Sequence, residues 1–293
     1  MKIAILMLLH EYNEQQKNLI NHLSKDFDVY IHVDKRSKIN IQQINSKNVF
    51  AFEEYKVYWG HFNIVLATLF LLRKASEKKY DRYLLVSGQD MPLKSTKDIY
   101  AFFDNNTNEY LCVFELPHKR WTGNGGFDRV DYYYPKSFSR GNSNLFRVIF
   151  SRIIRKINRV CIIPMLKLLK IHRRRIKGIK YYGGSEWFNL THNCVSQILS
   201  FLDNNENYYK SFKHTDCSDE VFFQTLICNY VKNVNLVKSA LRYDDWQTGP
   251  EYPRILRVSD YEKLRQTDFL FARKFNASID NDIILKLYND INS

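Results

Sequence analysis

The chain has 293 residues, of which 44 are Lys or Arg and 31 are Asp or Glu, and its formal net charge is +13 at pH 7. A hydrophobic content of 45% excludes a disordered chain, while only 10 Gly and 6 Pro exclude collagen-like and proline-rich architectures. The length fits one large domain or two fused halves and is enough for a substantial core. Because no run of about 18 uninterrupted apolar residues occurs, we predict no transmembrane helix.

The positive charge is concentrated in one segment. No acidic residue occurs between Asp131 and Glu186, whereas 14 Lys or Arg residues do, so the rest of the chain carries 13 − 14 = −1. The charge distribution therefore argues against a general nucleic-acid-binding protein and marks residues 132–185 as a basic insert.

Strand and helix patterns alternate through the first 115 residues. Five short apolar runs predict strands, at Lys2–Leu9, Val29–Val33, Val49–Phe52, Tyr83–Val86 and Tyr110–Phe114. Between them, helical patterns occur at Asn13–Lys25, at Phe62–Ala75 and from an N-cap at Thr96 to Phe103. This alternation predicts an α/β fold with a parallel, doubly wound sheet. Ligands of such sheets bind beyond the carboxyl ends of the strands, so the polar residues there are the candidate site: His10, Asp34, the Tyr55–Gly60 turn, Gln89, Asp90 and Glu115.

The second half is less regular. Leu145–Ile171 predicts a basic amphipathic helix, or a pair of helices broken at Pro164. The remaining patterns predict, in chain order, a glycine-rich turn and strand at Tyr181–Leu190, helices at Thr191–Leu202 and Asp219–Tyr230, a loop at Tyr243–Pro253, a helix at Ser259–Gln266 with Ser259 and Glu262 in capping-box spacing, and a terminal helix.

The cysteine count and the first residues bear on location. Five cysteines without a CxxC pair favour a reducing compartment over a disulfide framework or a zinc ribbon. The apolar N-terminal run lacks a small-residue cleavage site, so we interpret it as a buried first strand and not as a signal peptide.

Common cofactor and hydrolase motifs are missing from the sequence. There is no G-x-G-x-x-G, P-loop, G-x-S-x-G or H-E-x-x-H, and a nucleotide-sugar is then a natural ligand for the predicted sheet. The two literal Asp-x-Asp matches, Asp26–Asp28 and Asp280–Asp282, precede a strand and lie in the last helix, so we interpret them as surface residues. Without a metal, the diphosphate charge must be met by cations. The candidates are Arg254, Arg257, Arg273 and Lys274, and the alternative is that they are surface cations.

Asp219 and Glu220 open a predicted apolar helix. A carboxylate at this position is commonly only favourable to the helix dipole. The functional alternative is a general base with a pKa tuned by partial burial.

A series of short motifs occurs in a characteristic order. It resembles the core-2/I-branching family, glycosyltransferase family 14, which contains β-1,6-N-acetylglucosaminyltransferases and peptide O-xylosyltransferases. The motifs cover about residues 2–276 and are His32–Ser37, Val57–Gly60, Tyr83–Leu93, Gly183–Phe188, Ser218–Glu220, Asp245–Trp246 and Leu270–Phe275.

The resemblance implies a GT-A-type fold, a UDP-sugar donor, inversion at the anomeric carbon and no metal. It assigns the uridine-contacting acid to Asp34 and the catalytic base to Glu220. It assigns the diphosphate-binding Lys to Lys274, with Arg254 or Arg257 as its partner. The further donor-binding candidates are Met7, His10, Lys56, Trp59 and Asp90, and the acceptor-binding candidates are Trp246, Glu115 and Arg120, with Arg129 as an alternative to Arg120.

The expected function is metal-independent transfer of a sugar, with GlcNAc first and xylose as the alternative, from a UDP-sugar to a glycan hydroxyl in surface polysaccharide synthesis. We expect one domain, with a nucleotide-sugar half at 1–115 and an acceptor and catalytic half at 186–293, and no cofactor.

The chain lacks the membrane stem and disulfide cysteines of animal members, so a cytoplasmic enzyme is expected. Residues 145–177 are expected to lie on an anionic inner membrane surface near a lipid-linked acceptor, and the alternative is packing on the domain. The rival class is a non-enzymatic basic module, for membrane or nucleic acid, centred on residues 132–185.

Overall fold

The structure is a computed structural model of the 293-residue chain, and it describes residues 1–134, 153, 156–173 and 175–292. The strands of the described part are β1 Ile3–Leu9, β2 Asp28–Val33, β3 Val49–Phe52, β4 Arg82–Ser87, β5 Asp90–Pro92, β6 Glu109–Leu111, β7 Phe114–Glu115, β8 Tyr182–Gly183, β9 Phe188–Thr191, β10 Leu236–Val237, β11 Arg242–Asp244 and β12 Phe271–Arg273.

The α-helices of the same part are α1 Glu14–Leu23, α2 Asn63–Ser76, α3 Thr96–Phe103, α4 Thr122–Gly125, α5 Asp128–Asp131, α6 Ile163–Leu168, α7 His192–Asn204, α8 Glu206–Phe212, α9 Phe222–Tyr230, α10 Tyr261–Arg265 and α11 Asp282–Asn292. Single turns of 3₁₀ helix occur at Ile41–Gln43, Ser218–Glu220 and Val258–Asp260, and a π turn at Asn158–Ile162.

The central sheet has seven strands in the order β10-β6-β9-β4-β1-β2-β3. Strands β1 to β4 pair in parallel, with Met7 of β1 facing Ile31 on one side and Val86 on the other. Strand β9 is antiparallel to both β4 and β6, and it separates them. The predicted α/β class is therefore confirmed, but the predicted parallel sheet is mixed because a strand from the second half of the chain inserts into it.

Alternation along β1 explains why the sheet is covered on both faces. Ile3, Ile5 and Met7 pack into one core cluster with residues of α1 and α3. Ala4 and Leu6 pack into the other cluster with α2, α7 and α9. A fully apolar strand of this kind is typical of a sheet buried between two helical layers.

A small second sheet carries the last part of the chain to the edge of the first. Strand β12 pairs in parallel with β11 and antiparallel with β5, which places Arg273 opposite Asp90. Strands β7 and β8 form a separate two-stranded ribbon. The C-terminal cations thereby reach the residues that follow β4.

Several predicted element ends are wrong. Ser95 and not Thr96 caps α3, since its hydroxyl accepts a hydrogen bond from the Asp98 N–H at 3.1 Å. The fifth strand ends at Leu111, and the Ser259 capping box does not form, because Arg257 occupies the N-cap and the Asp260 carboxylate accepts its N–H at 2.8 Å. The predicted helix over 219–230 begins at Phe222, and a 3₁₀ turn precedes it.

Much of the predicted basic helix over 145–171 lies outside the described residues, which exclude 135–152, 154, 155 and 174. In the described part, Pro164 does not break a helix. It lies in the first turn of α6, where its missing N–H costs nothing. Within the described ranges, no helix has the length and apolar character needed to cross a membrane.

Candidate active site

A cleft of about 560 Å³ lies at the carboxyl ends of β1, β2 and β4. Its floor is formed by residues that end or follow these strands, among them His10, Asp34 and Gln89. The wall opposite is formed by Glu220 and by the C-terminal segment with Arg273. The cleft therefore occupies the position where a mostly parallel sheet binds its ligands.

The structure brings six of the predicted site residues together in this cleft. They come from six separate segments of the chain and are His10, Asp34, Trp59, Glu220, Trp246 and Lys274.

Among the predicted donor-binding residues, Met7 and Lys56 do not line the cleft. Met7 is fully buried in the core beneath the sheet, while its neighbours Leu8 and Leu9 line the cleft. Lys56 is exposed, and its neighbour Val57 faces the cleft.

The predicted acceptor residues Glu115 and Arg120 are also outside the cleft wall. Glu115 forms an exposed ion pair with Lys180 at 3.1 Å, and Arg120 is exposed. Arg129, the alternative to Arg120, instead forms an ion pair with Glu220.

Two backbone contacts fix the turn that carries Glu220. The Cys217 N–H donates to the Gly60 carbonyl at 2.8 Å, and the Gly184 N–H donates to the Glu220 carbonyl at 2.9 Å. A Cβ atom on Gly184 would lie 1.8 Å from the Cys112 carbonyl oxygen, so only glycine permits this close approach. The Glu220 side chain is thereby aimed into the cleft by a rigid support.

Glu220 and Arg129 form the ion pair that controls the charge at this wall. The two side chains are 23% and 25% exposed, respectively. The Arg129 guanidinium also lies 3.9 Å from the centre of the Trp121 ring. Burial raises the pKa of Glu220, and Arg129 opposes this rise. A carboxylate with a raised pKa is better suited to accept a proton than an exposed one.

Two further carboxyl groups, the partly buried Glu186 and the buried Asp219, line the cleft beside Glu220. Burial raises the pKa of both groups. Glu186 and Glu220 raise the pKa of Asp219 further, whereas the Arg273 charge opposes the rise in the pKa of Glu186. Asp219 Oδ1 has no hydrogen-bond partner among the described residues. Glu186 lies within the Gly183–Phe188 motif, but its neighbours in the sequence do not mark it as part of an acidic cluster.

Arg273 and Lys274 reach the cleft from the C-terminal segment, whereas Arg36 lines its other end and pairs with Asp34. The Arg273 guanidinium lies 4.3 Å from the centre of the Trp187 ring and 3.9 Å from the Glu186 carboxylate. Burial lowers the pKa of Lys274, and the adjacent Arg273 lowers it further, so an anion bound there would relieve both effects.

Arg254 and Arg257, the predicted partners of Lys274, do not line the cleft. Arg254 contacts Asp245 at 3.1 Å and Asp260 at 2.7 Å, while Arg257 is exposed. Arg254 therefore holds the loop that carries Trp246.

Asp90 lies beneath the cleft and not in its wall. Its fully buried carboxylate accepts the Ser87 N–H at 2.7 Å and lies 3.5 Å from Arg242 and 3.8 Å from Arg273. Burial lowers the pKa of Arg242 to about 10. Asp90 thus serves as the counter-ion of two arginines that contact Trp187.

Asp34 and His32 shape the end of the cleft next to β2. Asp34 accepts the Val57 N–H at 3.0 Å and the Arg36 guanidinium at 2.6 Å. His32 Nε2 accepts the Tyr55 N–H at 3.0 Å, and burial lowers the pKa of His32 to about 4, so the ring is neutral at pH 7. Both side chains hold the turn that carries Trp59.

Two tryptophans stand at the mouth of the cleft. Trp59 is 50% exposed and Trp246 is 54% exposed. Asp245 fixes the Trp246 loop by accepting the N–H groups of Gln247 and Thr248 at 2.8 and 3.0 Å. Half-exposed aromatic faces of this kind can stack on sugar rings.

The Asp-x-Asp matches lie apart from the cleft. Asp28 accepts the Tyr80 hydroxyl, and Asp280 accepts the Val258 N–H at 2.9 Å. Within the part of the chain that the structure covers, no group of three or more His, Cys, Asp or Glu side chains could hold a metal ion.

Comparison with known protein families identifies the family to which the chain belongs. The sequence profile of the core-2/I-branching enzyme family matches residues 3–269, and the chain belongs to that family.

Curated relatives of the chain include xylosyltransferase 1 of Homo sapiens, 25% identical over 98% of this chain and 30% of the relative, and of Rattus norvegicus, 24% identical over 98% of this chain and 35% of the relative. Xylosyltransferase 2 of Pan troglodytes is 23% identical over 97% of this chain and 33% of the relative. The chain thus spans about a third of the length of these relatives.

Solved structures similar to the chain include a mannose-1-phosphate geranyltransferase of Thermus thermophilus, at 10% identity and a TM-score of 0.32 over 80% of this chain and 73% of that one. Another is the apo-form glycosyltransferase GlyE of Streptococcus pneumoniae, at 10% identity and a TM-score of 0.27 over 99% and 64%.

Proposed function

We propose that the protein is a glycosyltransferase that moves a sugar from a UDP-sugar to an acceptor hydroxyl by one displacement with inversion, without a metal ion. One observation carries the proposal: a single cleft at the sheet edge contains a partly buried carboxylate, Glu220, together with two adjacent cations, Arg273 and Lys274. Membership of the core-2/I-branching enzyme family supports it.

The donor nucleotide is proposed to bind at the end of the cleft next to β2. Asp34 and the neutral His32 are largely buried there, and they hold the turn at residues 55–57 as a fixed wall. The Nδ1 atom of His32 has no hydrogen-bond partner among the described residues, which leaves a buried donor for a polar group of the nucleoside.

The diphosphate is proposed to bind Arg273 and Lys274, which replace the expected pairing of Lys274 with Arg254 or Arg257. Their positive charge would stabilise the negative charge that grows on UDP as the glycosidic bond breaks. Fixed groups of this kind contribute about 3–4 kcal/mol each to the transition state.

Glu220 is proposed as the general base. It takes the proton of the acceptor hydroxyl, the hydroxyl oxygen forms the new bond to the anomeric carbon, and the bond to UDP breaks with its electron pair leaving on the phosphate oxygen. The raised pKa of Glu220 supports this role, because a carboxylate with a raised pKa is a stronger base. General base catalysis contributes about 10²–10⁴-fold to the rate.

Glu186 is the second carboxyl that could accept the proton, because it lines the same cleft and its pKa is also raised. Its contact with Arg273 favours a role beside the diphosphate. Glu220→Gln is expected to lower kcat about 100-fold or more, and Glu186→Gln is expected to lower kcat by a smaller factor. A larger loss of kcat in Glu186→Gln than in Glu220→Gln would assign the base to Glu186.

The acceptor is proposed to be a glycan of surface polysaccharide, with a sugar ring stacked on Trp246. The transferred sugar is proposed to be GlcNAc or xylose. The names of the curated relatives favour xylose, and the family description allows a branching GlcNAc transfer. Release of UDP from each UDP-sugar in the presence of candidate acceptors distinguishes them.

Binding of UDP tests the proposal against a non-enzymatic basic module. UDP is expected to raise the melting temperature of the protein in the presence of EDTA. Lys274→Ala should weaken UDP binding about 10- to 100-fold, because a charge-assisted contact is lost. Arg257→Ala is the matched control, since this nearby exposed cation does not line the cleft. A protein that binds no UDP with or without Mn²⁺ would contradict the proposal.

A further inference from the structure

One surface segment exposes an unusual amount of apolar side chain. Half of the sixteen large hydrophobic side chains that are exposed in the described part of the chain lie within residues 153–171, namely Ile153, Ile157, Val160, Ile162, Met165, Leu168, Leu169 and Ile171. Leu168 is 83% exposed and Val160 is 63% exposed. Among the side chains described at 156–173, only Ile163 is buried. Clustered exposure of this kind marks an interaction surface.

Cations without an ion-pair partner among the described residues lie within this segment and shortly after it. Lys156, Lys170 and Lys177 are exposed, and none of them forms an ion pair with a described residue. In the sequence they belong to the run at 132–185, which has 14 Lys or Arg and no acid. The surface therefore combines apolar side chains with a net positive charge.

Two ion pairs fasten this segment to the body of the protein. Lys167 Nζ lies 2.6 Å from Asp128, and Arg175 lies 2.6 Å from Asp131. Both acids belong to α5, which also carries Arg129, the partner of Glu220. The segment is thus held next to the cleft wall.

We propose that residues 156–173 and Lys177, the docking segment, bind the surface of an anionic lipid bilayer. The aliphatic side chains enter the boundary between head groups and acyl chains, and the lysines contact lipid phosphates. Charge complementarity selects this occupant, because the segment offers cations and aliphatic side chains and no acid with which a basic partner could pair. This proposal does not depend on the proposed transferase activity.

Flotation of the 293-residue chain with vesicles tests the electrostatic part. We expect binding to vesicles of phosphatidylcholine with phosphatidylglycerol, and weaker binding at high salt or without the anionic lipid. Replacing Lys156, Lys170 and Lys177 by Gln should lower the partition coefficient about 100-fold, since each contributes about fivefold. Lys167, which is also exposed, is left unchanged because it pairs with Asp128. The control replaces three exposed lysines elsewhere, Lys25, Lys47 and Lys97, by Gln and should change it by less than about threefold. Equal effects of the two triple variants would overturn the proposal.

A second pair of variants tests the apolar part. Leu168→Ser with Leu169→Ser should weaken binding to the anionic vesicles about 10-fold or more, because buried methylene groups are lost. Ile279→Ser with Leu285→Ser is the control, since both side chains are exposed outside the docking segment. Unchanged melting temperatures show that the variants fold. Absence of vesicle binding by the wild type would overturn the proposal, as would a wild-type dimer that the Leu168 and Leu169 changes convert to a monomer without vesicle binding.

Discussion

Arg129 sets the protonation state of Glu220, and this relation can be tested by its effect on pH dependence. The two side chains form an ion pair in which each is about three-quarters buried. Burial raises the pKa of Glu220, and the Arg129 charge limits that rise. Removing the charge while keeping the apolar stem, as in Arg129→Met, should therefore raise the pKa of Glu220 further.

The size of the effect follows from the direct contact. An opposite charge in direct contact with a carboxyl group lowers the pKa of that group by about one to three pH units. The acid limb of the plot of kcat/KM against pH reports the ionisation of the base in the free enzyme. In Arg129→Met this limb should therefore move to higher pH by about the same amount. At neutral pH the variant should be less active, and at alkaline pH most of the activity should return.

The assay is UDP release, measured across about pH 5 to 9 for the wild type and its variants. Arg129→Lys should keep the acid limb near its wild-type position because the positive charge is retained. Arg120→Met is the control for loss of a nearby exposed cation. An acid limb that stays unchanged in Arg129→Met would refute the assignment of Glu220 as the titrating base.

Two other predictions concern structural support of the site. Arg254→Ala should lower the free energy of unfolding by about 2 kcal/mol, since its contacts with Asp245 and Asp260 are lost, and it should leave UDP affinity nearly unchanged. Thermal denaturation and UDP titration check this, and weaker UDP binding without loss of stability would place Arg254 in the donor site. Gly184→Ala should destabilise the fold by about 3 kcal/mol or more, because the new methyl group meets the Cys112 carbonyl, and chemical denaturation measures it. A variant as stable as the wild type would show that the backbone there can move apart.

The sequence predicted the first half of the fold well because its strands are apolar runs separated by amphipathic helices. β1, β2 and β4 were expected, and so was the position of the cleft at their carboxyl ends. The insertion of β9 between β4 and β6 was not expected. That strand has four residues and pairs with segments about 80 and 110 positions earlier in the chain, a contact that local pattern cannot show.

The site was predicted less completely for a related reason. Spacing alone could not distinguish Arg273 from Arg254, because the choice depends on the pairing of β12 with β5. The pairing of Arg129 with Glu220 joins residues 91 positions apart, and no local pattern marks it. Motif order pointed to Glu220 and Lys274, which both line the cleft, whereas only the tertiary contacts reveal the charged residues beside them.

The central claim is that Glu220 accepts the proton during transfer from a UDP-sugar in this cleft. The most direct test is UDP release from UDP-GlcNAc and UDP-xylose, with candidate acceptors and EDTA present, by the wild type and by Glu220→Gln side by side. We predict turnover by the wild type and a loss of about 100-fold or more in kcat for the folded variant, with UDP still bound. Full turnover by folded Glu220→Gln, or wild-type activity that EDTA abolishes and Mn²⁺ restores, would contradict the account.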